Sequence, residues 1–239
     1  MPQWKFTLTA NAGVLVETPG FTLWSDALHV KQVPGVSAVP PDCQRALLQS
    51  PNTTAPDLIF YSHNHPDHYA EGPTAQALAR FPATHLASPT DDFPSHTVLT
   101  QSSTTLSLPG ATLRFAALPH EPGTAILPLP HYGALAEIGG RRLLLTGDCK
   151  LEAPALAELT GGEPVDVAVV NFPWVTLRRG RAFLQTHIRP RHVIVCHLPF
   201  AQDECNNYRS AALRAVTRQT ELPDVRLLWD CLQSETIDL

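Results

Sequence analysis

The stretch Ser62-His63-Asn64-His65-Pro66-Asp67-His68 places three imidazoles and one carboxylate directly after the apolar run of residues 58–61. That run predicts a buried strand. Three histidines so close together would be costly to bury without a cation or other polar partners. We therefore interpret residues 62–68 as a metal-binding segment, called the metal loop below.

The spacing within the metal loop favours a pair of ions. Alternate side chains of an extended backbone point the same way, so His63 and His65 can converge on one ion. Asp67 and His68 follow the turn imposed by Pro66 and can face a second ion. Paired catalytic metals typically lie about 3.5 to 4 Å apart.

The segments around the metal loop alternate between strand and helix patterns. Short runs rich in aromatic and β-branched residues precede it, and a second β-rich stretch, with a Gly139-Gly140 hairpin signal, follows it. From about residue 151 helices and strands alternate, and a strand at residues 225–229 is predicted to close the chain. We expect one domain, residues 1–239, with two sheets covered by helices.

The composition narrows the class of protein. The 17 Lys and Arg against 22 Asp and Glu give a net charge of −5, which disfavours extended nucleic-acid binding. No basic leader with an apolar core and no apolar run of membrane-spanning length occurs, so a cytoplasmic protein without membrane association is expected. Five scattered cysteines without a CxxC pair indicate reduced thiols. The oligomeric state stays open.

The complete H-x-H-x-D-H pattern of residues 63–68 resembles the metallo-β-lactamase fold hydrolases, in which this motif follows a buried strand. The family adds a third histidine, a later aspartate often preceded by glycine, and a final histidine that ends a strand. This sequence offers Gly147-Asp148 and, after residues 193–196, His197. The resemblance implies an α/β fold, a four-layer αββα sandwich of two mixed sheets flanked by helices, with the metals at one edge.

The resemblance also implies a ligand set, in which Asp148 would bridge two ions. For the third histidine, His120 and His131 both precede Asp148. His120 is preferred because it caps the predicted strand of residues 113–117 at its C-terminal end, whereas His131 lies ahead of its strand and is assigned to substrate contact. The implied ligands are His63, His65, Asp67, His68, His120, Asp148 and His197.

Two further assignments concern residues that do not bind the ions. In relatives an aspartate at the position of Asp26 supports the metal loop by hydrogen bonding, and we expect the same here. The remaining histidines have no comparable context, and we interpret them as surface or structural residues: His29, His85, His96, His187 and His192.

Imidazole and carboxylate ligands suit zinc, but they also accept manganese, iron or nickel. Oxygen-reducing diiron relatives generally carry glutamate at the position equivalent to His65, so this histidine favours two Zn(2+) ions per chain and hydrolysis. Zinc lowers the pKa of bound water towards about 7. Asp67, as a proton shuttle, and Asp148 are the candidate catalytic residues.

The substrate is the least determined feature, because this fold hosts many hydrolytic reactions. The short, simple architecture favours a small-molecule ester, lactone or phosphoester, and it resembles the ascorbate-6-phosphate lactonase-like branch. The candidates for binding an anionic group are Lys150, Arg178, Arg179 and Arg181. Two alternatives remain: a phosphodiesterase acting on nucleotides or short nucleic acid, and a non-catalytic metal-binding protein of the same fold.

Overall fold

Runs of β-branched and aromatic residues form the strands of this protein. The structure, a computed structural model, describes residues 2–94, 96–121 and 129–239. The strands of this described part are β1 Gln3–Ala10, β2 Gly13–Thr18, β3 Phe21–Ser25, β4 Leu58–Phe60, β5 His85–Ser88, β6 Thr97–Val98, β7 Ser103–Leu108, β8 Ala111–Ala117, β9 Tyr132–Ile138, β10 Arg141–Leu145, β11 Val167–Asn171, β12 His192–Cys196, β13 Val225–Leu227 and β14 Ser234–Asp238. The helices are α1 Pro41–Gln49, α2 Glu71–Arg80, α3 Pro154–Thr160, α4 Pro173–Thr176, α5 Arg178–Phe183 and α6 Tyr208–Arg218, and a π-helical turn, Leu184–Ile188, continues α5.

The strands build two seven-stranded sheets with the same pattern of directions. The first sheet has the order β14-β1-β2-β3-β4-β5-β6 and the second the order β7-β8-β9-β10-β11-β12-β13. In each sheet the first three neighbouring pairs are antiparallel and the last three are parallel. The sheets are therefore mixed, as predicted.

Apolar side chains fill both the space between the sheets and the space under the helices. Between the sheets, Phe60 of β4 meets Phe115 of β8 with ring centroids 5.2 Å apart. On the outer face of the second sheet, Leu144 and Val195 belong to a buried cluster with Leu156 of α3 and Trp174 of α4. The predicted four-layer αββα sandwich is confirmed.

Three elements differ from the sequence-based expectation. Strands β7 and β14 and the short helix α4 were not predicted, and the expectation that the strand at residues 225–229 closes the chain is wrong because β14 follows it. Both missed strands lie at sheet edges, where β7 reads STTLSL and β14 reads SETID. Edge strands need few apolar residues, so their pattern is weak. The predicted Gly139-Gly140 hairpin is confirmed, with Ile138 paired to Arg141.

Two further observations bear on the expected class of protein. No helix in the described ranges is both long enough and apolar enough to span a membrane. The five cysteines are free thiols in the structure, three of them buried.

Candidate metal centre

The candidate metal centre lies where the ends of several strands meet. Because β9 is antiparallel to both β8 and β10, those two strands run in the same direction, and β11 and β12 run parallel to β10. Their carboxyl ends consequently share one edge of the second sheet. His120 follows β8, Asp148 follows β10 and His197 follows β12. The metal loop, which follows β4 of the first sheet, faces the same edge.

The side chains at this edge form three overlapping groups whose ligand atoms lie within 4.8 Å of one another. The groups are His63 with His65 and His120, His63 with His68 and Asp148, and Asp67 with His68 and His197. The structure thus brings together all seven residues of the implied ligand set.

The first group is crowded in a way that fits a shared cation. His63 Nε2 lies 2.9 Å from His65 Nδ1 and 3.3 Å from His120 Nε2. A neutral imidazole has one N–H and one lone pair, so three converging ring nitrogens cannot all be satisfied by one another. Nitrogen ligands in this arrangement suit a transition-metal ion such as zinc.

A single oxygen of Asp148 lies near histidines of all three groups. Its Oδ2 is 3.4 Å from His68 Nε2, 3.3 Å from His197 Nε2 and 3.8 Å from His120 Nε2. Asp67 Oδ2 is 3.8 Å from His68 Nε2 and 3.7 Å from His197 Nε2. We call the group of His63, His65 and His120 one end of the centre, and the group of Asp67, His68 and His197 the other end. Asp148 Oδ2 is therefore close to histidine nitrogens of both ends.

Hydrogen bonds on the far side of the rings orient the histidines. Asp26 accepts hydrogen bonds from the Ser62 amide at 2.8 Å, from Ser62 Oγ at 2.7 Å and from His68 Nδ1 at 3.1 Å. With its proton committed to Asp26, Ser62 Oγ accepts from His63 Nδ1 at 2.9 Å. His120 Nδ1 lies 2.6 Å from the Glu121 carbonyl oxygen. These contacts leave Nε2 of His63, His68 and His120 free to bind a metal.

The electrostatics differ between the two ends of the centre. Burial lowers the pKa of His63 and of His65 and so favours the neutral form of both rings. Burial also opposes a charge on His68, but the carboxylates of Asp148 and Asp26 raise the pKa of His68 well above its ordinary value. At Asp148 burial favours the neutral acid, yet His197 and His68 hold its pKa well below the usual range. Cationic charge is thus favoured beside Asp148.

Burial and neighbouring charges also oppose each other at Asp67 and His197, the other two members of the group with His68. Burial disfavours ionisation of both Asp67 and His197. Even so, His68 and His197 lower the pKa of Asp67, and Asp148 raises the pKa of His197. The carboxylates of this part of the centre therefore favour positive charge beside them, which protonated histidines or a bound cation could supply.

His131 lies beneath this centre. It is 2% exposed, its ring centroid is 5.2 Å from that of His63, and neither of its ring nitrogens has a hydrogen-bond partner among the described residues. Burial lowers its pKa to about 3. A Cβ on Gly147 would come within 2.6 Å of His131 Nε2, so glycine is needed at that position for this approach. The burial of His131 argues against the predicted contact with substrate.

The basic candidates divide into two kinds. Lys150, Arg178 and Arg179 are exposed, and Arg179 Nη2 lies 3.8 Å from Glu121, the residue after His120. Arg181 instead donates to the Val175 carbonyl oxygen at 2.8 Å and pairs with Glu221 at 3.3 Å. Because its guanidinium is engaged by the protein, the prediction that Arg181 binds substrate is not supported by its position.

The histidines interpreted as structural lie outside the three ligand groups. His29 is buried, with Nδ1 3.1 Å from the Asp26 carbonyl oxygen and Nε2 3.2 Å from that of Ser37. His192 Nδ1 pairs with Asp224 at 2.7 Å.

The sequence-based assignments gave no individual role to three polar residues that contact the ligands: Asn11, Ser62 and Asn171. A signal exists for Asn171, the only polar residue of the buried strand VAVVN. Asn11 has a left-handed backbone, with φ of 49°, in the Asn-Ala-Gly turn between β1 and β2. A turn asparagine is common, so that position carried no functional signal.

A scan of protein-family models found none that matches the sequence, and a search of curated proteins found no match either. Solved structures do match. Igni18, a metallo hydrolase from the archaeon Ignicoccus hospitalis, is 16% identical with a TM-score of 0.66, over 99% of each chain. The metallo-β-lactamase fold protein YhfI from Bacillus subtilis is 15% identical with a TM-score of 0.62, over 99% of this chain and all of its own.

A third similar structure has a different chemistry. CmlA, a diiron β-hydroxylase from Streptomyces venezuelae, is 16% identical with a TM-score of 0.64, over 99% of this chain and 54% of its own. Together with the two-sheet topology, these similarities show that this chain has the metallo-β-lactamase fold.

Proposed function

We propose that this protein is a metal-dependent hydrolase that holds two zinc ions and acts on a small ester, lactone or phosphoester. The observation that carries the proposal is the position of Asp148 Oδ2, 3.3 to 3.8 Å from Nε2 of three histidines drawn from both ends of the centre. An oxygen in that position suits a ligand shared by two ions.

The ligand groups suggest how the ions would be held. His63, His65 and His120 would bind one ion, and Asp67, His68 and His197 would bind the other, with Asp148 shared. The fold alone does not choose the metal, since CmlA of the same fold is a diiron enzyme. Zinc is proposed because imidazole nitrogens dominate the ligand set and His65 stands where diiron relatives generally have glutamate.

The bound ions would supply Lewis-acid activation of the substrate and of a water molecule. The chain's own residues would orient the metal ligands and transfer protons. Asp26 and Ser62 hold the ring orientations of His68 and His63. Asp67, partly exposed beside the centre, is proposed to take a proton at Oδ1 and pass it to the leaving group, because its Oδ2 faces His68 and His197. Arg179, paired with Glu121 near His120, is proposed to meet an anionic part of the substrate.

The test combines metal analysis with hydrolysis assays of the purified protein against lactones, thioesters and phosphodiesters. We expect two zinc ions per chain, turnover in one substrate class, and joint loss of metal and turnover in Asp148→Ala. His192→Ala, which removes a histidine paired with Asp224 outside the centre, is the matched control and should keep both. Two tightly bound zinc ions with no turnover in any class would refute the hydrolase and favour a metal-binding role.

A further inference from the structure

Two asparagines outside the ligand set direct their side-chain amides at the two carboxylates of the centre. Asn171 Nδ2 donates to Asp148 Oδ1 at 3.3 Å, and Asn11 Nδ2 donates to Asp67 Oδ2 at 3.1 Å. Both residues are buried, Asn11 completely. A buried amide with such a specific partner constrains the orientation of that partner.

The contact from Asn171 distinguishes the two oxygens of Asp148. Oδ1 accepts the amide, whereas Oδ2 faces the histidines of both ends of the centre. The backbone of Asn171 is paired with that of Cys196 between parallel strands β11 and β12. Rotation of the carboxylate that brought Oδ1 towards the histidines would break this hydrogen bond. The amide therefore favours the orientation in which Oδ2 of Asp148 faces His68, His120 and His197.

The contacts of Asn11 join residues that come from different sheets. Its side chain reaches both the Oδ2 and the backbone oxygen of Asp67, at 3.1 and 3.4 Å, in the loop after β4 of the first sheet. Its backbone oxygen accepts the amide of His197 at 2.7 Å, after β12 of the second sheet. Asn11 Nδ2 also lies 3.4 Å from His197 Nε2. Asp67 and His197 are both members of the group proposed to hold the second ion.

We propose that Asn11 and Asn171 are positioning residues of the metal centre, with Asn11 controlling occupancy of the second ion and Asn171 orienting the shared carboxylate. This proposal rests on the proposed function. Loss of a residue that supports a metal ligand typically weakens metal affinity about 10- to 100-fold. Removal of Asn11 should weaken one ion selectively, whereas removal of Asn171 should weaken both.

The variants are chosen to remove the amide without blocking the fold. Asn11→Gly keeps a residue that tolerates the left-handed backbone at this position. Asn171→Ala has no such constraint and tests the role of Asn171 whether or not Asn11→Gly folds. Asn52→Ala, at an exposed site, is the control for loss of an asparagine. Ile237→Ala, in the core of β14, is the control for a general loss of stability.

Zinc binding is measured by competition with a chromophoric chelator, and coordination by the visible absorption spectrum of the cobalt-loaded protein. In Asn11→Gly one dissociation constant should rise about 10- to 100-fold while the other changes less than about threefold. In Asn171→Ala both should rise and the cobalt spectrum should change. Both control variants should keep the wild-type constants and spectrum.

The outcomes separate this proposal from the proposed function. Wild-type zinc affinities in both asparagine variants would overturn the positioning roles while leaving the hydrolase intact. Weakened zinc binding in the variants of a protein that hydrolyses no substrate class would support the positioning roles and refute the hydrolase. A wild-type protein that binds no zinc would overturn both.

Discussion

His120 and His131 share a residue type and a neighbourhood, but their nitrogens have different surroundings. His120 turns Nδ1 to the Glu121 carbonyl oxygen and places Nε2 3.3 Å from His63 Nε2. His131 has no hydrogen-bond partner for either nitrogen within the described residues and belongs to none of the ligand groups. A ring whose outer nitrogen is fixed by a carbonyl is prepared for metal binding.

We therefore expect His120→Ala and His131→Ala to differ in metal content. His120→Ala removes one nitrogen from the group with His63 and His65, so it should lower zinc content from two ions to about one per chain. His131→Ala should retain both ions. Elemental analysis after dialysis decides between them, and loss of an ion from His131→Ala alone would reverse the assignment of the third histidine.

A second prediction concerns His29, which burial keeps neutral in the folded protein with a pKa lowered to about 4. Unfolded histidine takes up a proton near pH 6.5. Between these two values the unfolded state binds more protons, so the contribution of His29 to stability is fully present above about pH 6.5 and is lost as pH falls.

His29→Gln should consequently reduce the pH dependence of unfolding. The difference in the free energy of unfolding between pH 7 and pH 5 should be about 2 kcal/mol smaller than in the wild type. Urea unfolding of both proteins with a chelator present measures this difference without competition from bound metal. An unchanged difference would show that His29 is protonated in the folded state.

The residues of the site could be predicted where the neighbouring sequence marks them. The metal loop concentrates four candidate ligands in one segment, and Asp148 and His197 each follow an apolar strand. The roles of Asn11 depend instead on partners 56 and 186 residues away. No pattern of neighbouring residues encodes such contacts, because they arise only when the two sheets pack together.

The two missed strands occupy equivalent places in the two sheets. Strand β14 lies at the antiparallel edge of the first sheet, as β7 does in the second. The central strands β4, β11 and β12 were predictable because both of their faces are buried and their sequences are almost wholly apolar. The edge strands are defined by backbone pairing with a neighbour, and their side chains record that pairing only weakly.

The pairing of β14 with β1 predicts that the C-terminal strand contributes to stability. Ile237 is fully buried and lies opposite Trp4. Ile237→Ala should lower the free energy of unfolding by roughly 2 to 5 kcal/mol, because it removes buried methyl groups and leaves a cavity.

Equilibrium denaturation measures the effect of Ile237→Ala. Thr236→Ala, at the exposed neighbouring position, should change the free energy of unfolding by less than about 0.5 kcal/mol. Equal effects at the two positions would mean that β14 does not pack as the structure shows.

The metal centre joins the two sheets of the molecule. The metal loop comes from the first sheet, and His120, Asp148 and His197 come from the second. A ligand that binds only the folded state stabilises that state by mass action. The ligands from the two sheets come together only when both sheets are folded. Metal binding should therefore stabilise the complete fold rather than one sheet alone.

Chelation of the zinc-loaded protein should therefore lower the melting temperature in a single cooperative step. With free zinc at about 1,000 times the dissociation constant, one ion contributes about 4 kcal/mol. For a chain of this length each kcal/mol corresponds to about 2 to 4 °C, so calorimetry should show a decrease of roughly 8 to 16 °C for each ion removed and roughly 16 to 32 °C for both. Asp148→Ala should lose most of this response because both ions of the proposed site would share that carboxylate. Two separate melting transitions after chelation would instead show that each sheet is stable without the other and that the centre does not couple them.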